Sequence, residues 1–247
     1  MEGNVSRMNP QLRGVIFDLD GVLVSTDRLH FAAWKKLADH LALPFNETVN
    51  HQLRGVSREE SLRAIYRAAN RPEPAPAILA AQCAEKNAAF VTLIRQMTPA
   101  DLLPGAAALL RDLRKAGILI GIASASRNCP AVLERTGLAA LIDASADGND
   151  VTHSKPDPAV FLLASLRLGL APSDCLGVED AATGIEAIRR AGMRAIGIGP
   201  AAGPAAHHTV PAIAAVSLPL LHQVFAAPVR SSGLSLPPHI PVPASLG

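Results

Sequence analysis

Five short, largely apolar runs recur along the chain: VIFDLD from Val15, ILIGIASAS from Ile118, LIDASAD from Leu141, CLGVED from Cys175 and RAIGIG from Arg194. They lack the polar–apolar alternation of a strand with one wet face, and continuous apolar runs of this length mark strands covered on both faces. Helical patterns lie between them. LPGAAALLRDLRKAG, Leu103 to Gly117, has proline near its start and glycine at its end, the usual asymmetry of a helix. PAVLERTGL, DPAVFLLASLRLGL and AATGIEAIRRAG fill the other gaps. Strand and helix in alternation, joined by short glycine-rich links, predict an α/β fold with a doubly wound parallel sheet and a Rossmann-like core.

One segment breaks the rhythm. From His30 to about Met97 there are three helical stretches, HFAAWKKLADHLAL, SREESLRAIYRAAN and AILAAQCAEKNAAFVTLIRQM, with the proline-punctuated loop RPEPAPA between the last two. A helical insert after the first strand reads as an all-α cap. The expected division is residues 12–28 and 98–226 for the α/β core and 29–97 for the cap. Residues 227–247, rich in proline and serine and without periodicity, are expected to form a disordered tail.

Composition narrows the function. With 247 residues, 49% of them hydrophobic, the chain can bury a real core. A formal net charge of +2 and 3% aromatic residues supply neither a basic patch nor a stacking platform, which argues against nucleic acid. No apolar stretch reaches the roughly 18 residues of a membrane span. MEGNVSRMNPQLRG lacks the apolar centre of a secretory signal, and Cys83, Cys129 and Cys175 form no CxxC pair. The expectation is a cytoplasmic, monomeric protein with reduced thiols.

The polar residues cluster at strand ends. Asp18 and Asp20 follow the first strand, Ser124 and Ser126 the second; SKPDP supplies Lys155, and Glu179 with Asp180 close CLGVED. Each has a plain structural explanation when taken alone, since aspartate and serine cap helices and lysines sit on surfaces. Together they gather carboxylates, hydroxyls and a cation at the carboxyl edge of one sheet, where open α/β sheets bind ligands. A cluster of carboxylates suits a hard dication such as Mg²⁺, which leaves coordination positions for a substrate phosphate. Lys155 and Ser124 would meet other phosphate oxygens and offset the repulsion between carboxylate and phosphate. Two acids at i and i+2 point the same way from an extended strand, so Asp18 can attack phosphorus while Asp20 handles a proton.

DLDGVLVST, SAS, SKPDP and GVED, in that order, resemble the four motifs of the haloacid-dehalogenase-like superfamily of phosphotransferases. The resemblance runs from Gly14 to about Gly199. It implies Asp18 as the aspartyl-phosphate nucleophile and Asp20 as the general acid–base. It also implies Mg²⁺ held by the Asp18 carboxylate, the Asp20 backbone carbonyl and Asp180, with Glu179 a direct or outer ligand.

Within that superfamily HFAAWKKLA, QLRGVSREESL and SASRN are similar to the β-phosphoglucomutase family. Arg54 and Arg58, with Ser57 and Ser61, put guanidinium forks and hydroxyls at a helix start, a ready phosphate site; the alternative is a solvated capping cluster. A mutase with a bisphosphate intermediate needs such a second site, whereas a phosphatase for small phosphates does not. The resemblance further implies that Arg58 grips a distal phosphate, Ser61 a sugar hydroxyl, and Ser126, Arg127 and Asn128 the sugar or its phosphate. Thr26 and His30 would lie at the hinge that places Asp20, and Lys86 would face the site from the cap. Arg54 and Arg127 stand where lysine is common in the family, which keeps charge and alters geometry.

Other signals carry less. GIGPAAG has the wrong spacing for a dinucleotide fingerprint and reads as a loop after the last strand. His207 and His208 have no acidic or cysteine neighbour, Cys129 has no activating partner, and Trp34 reads as core packing. The expected activity is interconversion of β-glucose 1-phosphate and glucose 6-phosphate through β-glucose 1,6-bisphosphate. A Mg²⁺-dependent sugar-phosphate phosphatase is the first rival, and a non-catalytic phosphosugar-binding protein the second.

Overall fold

The computed structural model describes residues 11–53 and 56–227. Six parallel strands form one sheet in the order β3-β2-β1-β4-β5-β6. They are β1 (Gly14–Phe17), β2 (Leu119–Ala123), β3 (Ala144–Ala146), β4 (Cys175–Glu179), β5 (Arg194–Ile198) and β6 (His208–Val210). β1 is central: Phe17 pairs with Ile122 of β2 on one side and Val178 of β4 on the other. The chain first winds outward through β2 and β3, then crosses to β4 and winds the other way. The β1–β4 boundary is therefore the switch point, where α/β sheets open a crevice for ligands.

The strand pleat sorts β1 between two cores. Val15 and Phe17 join a cluster with Leu110 of α5 (Ala106–Lys115), Val132 of α6 (Cys129–Arg135) and Leu221 of α9 (Leu218–Ala226). Ile16 points the opposite way and packs with Phe161 of α7 (Ala159–Arg167) and Ile188 of α8 (Ala182–Arg190). Val15, Ile16 and Phe17 have no exposed surface, which is why this strand reads as an unbroken apolar run.

Between β1 and α5 the described residues form four α-helices, α1 (Asp27–His40), α2 (Glu47–His51), α3 (Arg58–Ala68) and α4 (Pro76–Ile94). They form the helical cap and bury a separate cluster built on Trp34, Leu37, Leu62, Ile65 and Leu79. The two crossings between core and cap are bonded to each other: Leu103 N donates to Leu23 O at 3.0 Å and Ser25 N to Asp101 O at 3.1 Å. α4 is long and apolar enough to cross a membrane by length and composition. Here it packs against α1 and α3, with Lys86 buried.

Several expectations need correction. α1 begins at Asp27, three residues before the expected start, and α2 was not expected; Asn46 caps it by accepting from Val49 N at 3.0 Å. GIGPAAG does not follow the last strand. Its Pro200–Ala202 turn leads to β6 at the sheet edge, and α9 follows. Arg54 and residues 228–247 lie outside the described residues.

Candidate active site

β1 ends one residue before Asp18, whose N–H still bonds the neighbouring strand at Val178 O, 2.9 Å away. That bond carries the Asp18 side chain to the switch point with 6% of its surface exposed. Lys155, 4% exposed, donates to Asp18 Oδ1 at 2.5 Å and to Glu179 Oε2 at 2.8 Å. Burial pushes the Asp18 carboxyl up to about 7, with Lys155 opposing and Glu179 adding to the rise. Burial would strip Lys155 of its proton, but the Asp18 and Glu179 carboxylates outweigh it and hold the ammonium charged.

Asp20 lies two residues further on and is half-buried. Its carboxyl is pushed to about 6, first by desolvation and then by Asp18. The Thr26 hydroxyl donates to Asp20 Oδ1. This explains why Thr26, in the N-cap position of α1, makes no side-chain capping bond there. Between the two aspartates and β4, Gly21 adopts φ +83°, and a Cβ on it would stand 2.2 Å from Asp180 Oδ2. Only glycine lets Asp180 close over the loop.

Asp18, Glu179 and Asp180 each offer a carboxylate oxygen within 4.8 Å of the others. Glu179 is oriented by two backbone donors, Asp180 N and Ala181 N, both at 3.1 Å from Oε1. Three acidic side chains share one Lys155 ammonium, so acidic groups outnumber the cation among them. That imbalance and the all-oxygen donor set fit a hard dication.

The loop after β2 folds on its own hydroxyls. Ser124 Oγ accepts from Ser126 N at 3.1 Å and Ser126 Oγ from Asn128 N at 3.3 Å. Arg127 lies inside this turn and lines the cleft. The cap faces it with Arg58, the first residue of α3, and with Ser61, 4% exposed. Burial lowers the Arg58 pKa, the Cys83 thiol opposes, and Arg127 across the cleft lowers it further. Arg58 from the cap and Arg127 from the core thus line the same cleft.

Lys86, 2% exposed, donates to His30 Nδ1 at 3.0 Å and lies 4.3 Å from the Phe90 ring centroid and 4.8 Å from that of Trp34. Burial first and Arg58 second pull it down to about 7. Burial and Lys86 keep His30 neutral, as its acceptor role requires. Trp34 packs in the cap core as expected and also borders the cleft.

All the predicted site residues within the described residues line one cleft of about 1040 Å³. The sequence reading missed two pairs there. Asn128 Nδ2 donates to Asn87 Oδ1 on α4 at 2.9 Å, joining core to cap, and the buried Asn50 donates to Asp27 Oδ1 at 3.2 Å. Asn87 stands beside Lys86 in EKNAAF, so its neighbour was the available signal.

A family model described as haloacid dehalogenase-like hydrolase matches residues 12–192, which include every strand from β1 to β4 and the acids at their ends. The chain belongs to the haloacid dehalogenase-like hydrolase family. It is 41% identical over 197 residues to a β-phosphoglucomutase of Bacillus subtilis, covering 76% of this chain and 84% of that protein. It is 31% identical over 191 residues to the Escherichia coli fructose-1-phosphate phosphatase YqaB, covering 77% of this chain and 98% of the other. A solved β-phosphoglucomutase from Clostridium difficile superposes with a TM-score of 0.82 at 33% identity, covering 87% of this chain and 97% of that one. The chain is thus similar both to a mutase and to a phosphatase.

Proposed function

We propose that the protein interconverts β-glucose 1-phosphate and glucose 6-phosphate by way of an aspartyl-phosphate and β-glucose 1,6-bisphosphate. The observation that carries this reading is the opposition of Arg58 and Arg127 across the cleft that holds Asp18. A hydrolase of monophosphates needs one anion site, beside Asp18. Two further guanidinia on facing walls are accounted for by a second phosphate, since arginine forks pair with phosphate oxygens. The similarity to the B. subtilis and C. difficile mutases supports the same choice.

In this reading a phosphoryl group bonds to an Asp18 oxygen and Lys155 neutralises its charge. Asp20 takes the proton from the attacking sugar hydroxyl as the phosphoryl group leaves Asp18, with Thr26 fixing its direction. The bisphosphate then turns over, so that Arg58, Arg127, Ser126 and Asn128 hold the phosphate just formed while Asp18 accepts the other. Asp20 returns its proton to the departing oxygen. Ser61 meets a sugar hydroxyl. Asp18, Asp180, Glu179 and the Asp20 carbonyl would hold Mg²⁺, which supplies charge neutralisation at the transferring phosphate. The cap excludes water that would hydrolyse the phosphoenzyme. Small-molecule sugar phosphates are thus the partners, and a cytoplasmic monomer is the setting.

A second reading, a sugar-phosphate phosphatase, has the E. coli relative in its favour. Pure α- and β-glucose 1-phosphate, assayed for both glucose 6-phosphate and free phosphate, separate the two. The proposal expects glucose 6-phosphate from the β-anomer with little free phosphate. Stoichiometric phosphate release would overturn it.

A further inference from the structure

The loop bearing Arg127 is fastened to the loop after β3 by two opposed hydrogen bonds. Arg127 Nε donates to the Gly148 carbonyl at 3.2 Å, and Asn149 Nδ2 donates back to the Arg127 carbonyl at 2.9 Å. The loops are in backbone contact, for a Cβ on Gly148 would stand 2.5 Å from Ala125 O. Asn149 is itself held. Its backbone N and its Nδ2 both donate to Oδ1 of the buried Asp147, at 2.7 and 2.9 Å. Asp147 N donates to Asp150 Oδ2 at 2.9 Å. Asp150 in turn accepts both guanidinium ends of Arg167 on α7, at 2.8 and 2.7 Å. A continuous chain of bonds therefore runs from a core helix to the backbone carbonyl of Arg127.

This arrangement uses a capacity that arginine has and lysine lacks. Spending Nε on Gly148 leaves the two terminal nitrogens for the cleft that Arg127 lines. A lysine has one nitrogen and cannot do both. We infer that Asn149 is a positioning residue for substrate recognition: it locks the Arg127 backbone so that the guanidinium end presents its fork to the distal phosphate of a sugar bisphosphate. The inference rests on the reading above that Arg127 belongs to the second anion site.

Steady-state kinetics of the full chain, with β-glucose 1,6-bisphosphate as phosphoryl donor and with acetyl phosphate, test it. Asn149 is exposed, so Asn149→Ala should fold, and an unchanged Tm checks that. One neutral hydrogen bond corresponds to roughly a three- to tenfold rise in KM for the bisphosphate. Hydrolysis of acetyl phosphate, which has nothing to place in the second site, should stay within about twofold. In an Arg127→Lys background, where the Nε bond is already gone, Asn149→Ala should cost less than half as many fold as it does alone, because contacting residues couple. An unchanged bisphosphate KM in Asn149→Ala, an equal loss with acetyl phosphate, or full additivity with Arg127→Lys would each overturn the inference. Arg127→Ala separates the two levels. If it too leaves the bisphosphate KM unchanged, the second-site reading fails along with the inference; if it raises KM while Asn149→Ala does not, only the role of Asn149 falls.

Discussion

Asn128, in the loop after β2, donates its amide to Asn87 Oδ1 on cap helix α4 at 2.9 Å, across a sequence gap of 41 residues. It is a direct side-chain bond between the two walls of the cleft. Water entry through a looser cap would let the phosphoenzyme hydrolyse instead of transferring its group. A neutral hydrogen bond contributes about 1 kcal/mol, so Asn87→Ala should shift partitioning several-fold towards free phosphate. The ratio of phosphate to glucose 6-phosphate reads this directly, and an unchanged ratio would show that the bond does not govern closure.

Asp18→Asn should abolish turnover, by on the order of a thousandfold or more, because the amide cannot form the acyl-phosphate bond. The fold should survive, since the amide matches the carboxylate in shape and Lys155 keeps Glu179 as a partner at 2.8 Å. The checks are Tm together with acid-stable labelling by a radioactive phosphoryl donor. Labelled Asp18→Asn protein would move the nucleophile elsewhere.

The residues legible in the sequence are those whose position follows from local pattern. Asp18, Ser124 and Glu179 stand at the ends of buried runs, and the parallel sheet then brings those ends together at one edge. β6 was illegible for the opposite reason. It has three residues, and His208 and Thr209 are exposed, so no apolar run announces it. α9 was not read from the sequence either, since its nine residues were too few for periodicity to speak. Asn87–Asn128 and Asn50–Asp27 depend on how cap and core helices meet over tens of residues, which no local pattern encodes. Lys155 was placed at the site from its motif, but its simultaneous grip on Asp18 and Glu179 required coordinates.

Lys86 should make stability depend on alkaline pH. Its folded pKa is lowered to about 7 from 10.5 by burial and by Arg58, with Asp20 and Cys83 opposing. Between those values the unfolded chain binds a proton at Lys86 that the folded chain does not, so stability rises with pH through that window. Lys86→Met lacks this proton. In urea unfolding the wild type should gain on the variant between pH 7 and pH 9.5, by on the order of a few kcal/mol. Parallel curves for the two proteins would mean that Lys86 keeps its proton in the fold.

Arg58→Ala separates mutase from phosphatase. Arg58 is half-buried at the start of α3 and shares the cleft with Arg127. If it holds a distal phosphate, its removal deletes a charge-assisted bond of about 1.5 to 3 kcal/mol, and mutase turnover should fall at least tenfold. Acetyl phosphate hydrolysis should fall much less, because Asp18, Asp20 and Lys155 remain in place and the small substrate does not extend to the cap. Ser57 still caps α3 through Glu60 N, so the helix start survives the substitution. Equal losses in both assays would mean that Arg58 serves the phosphate beside Asp18 or props the cap, and the two-site argument for a mutase would fail with it.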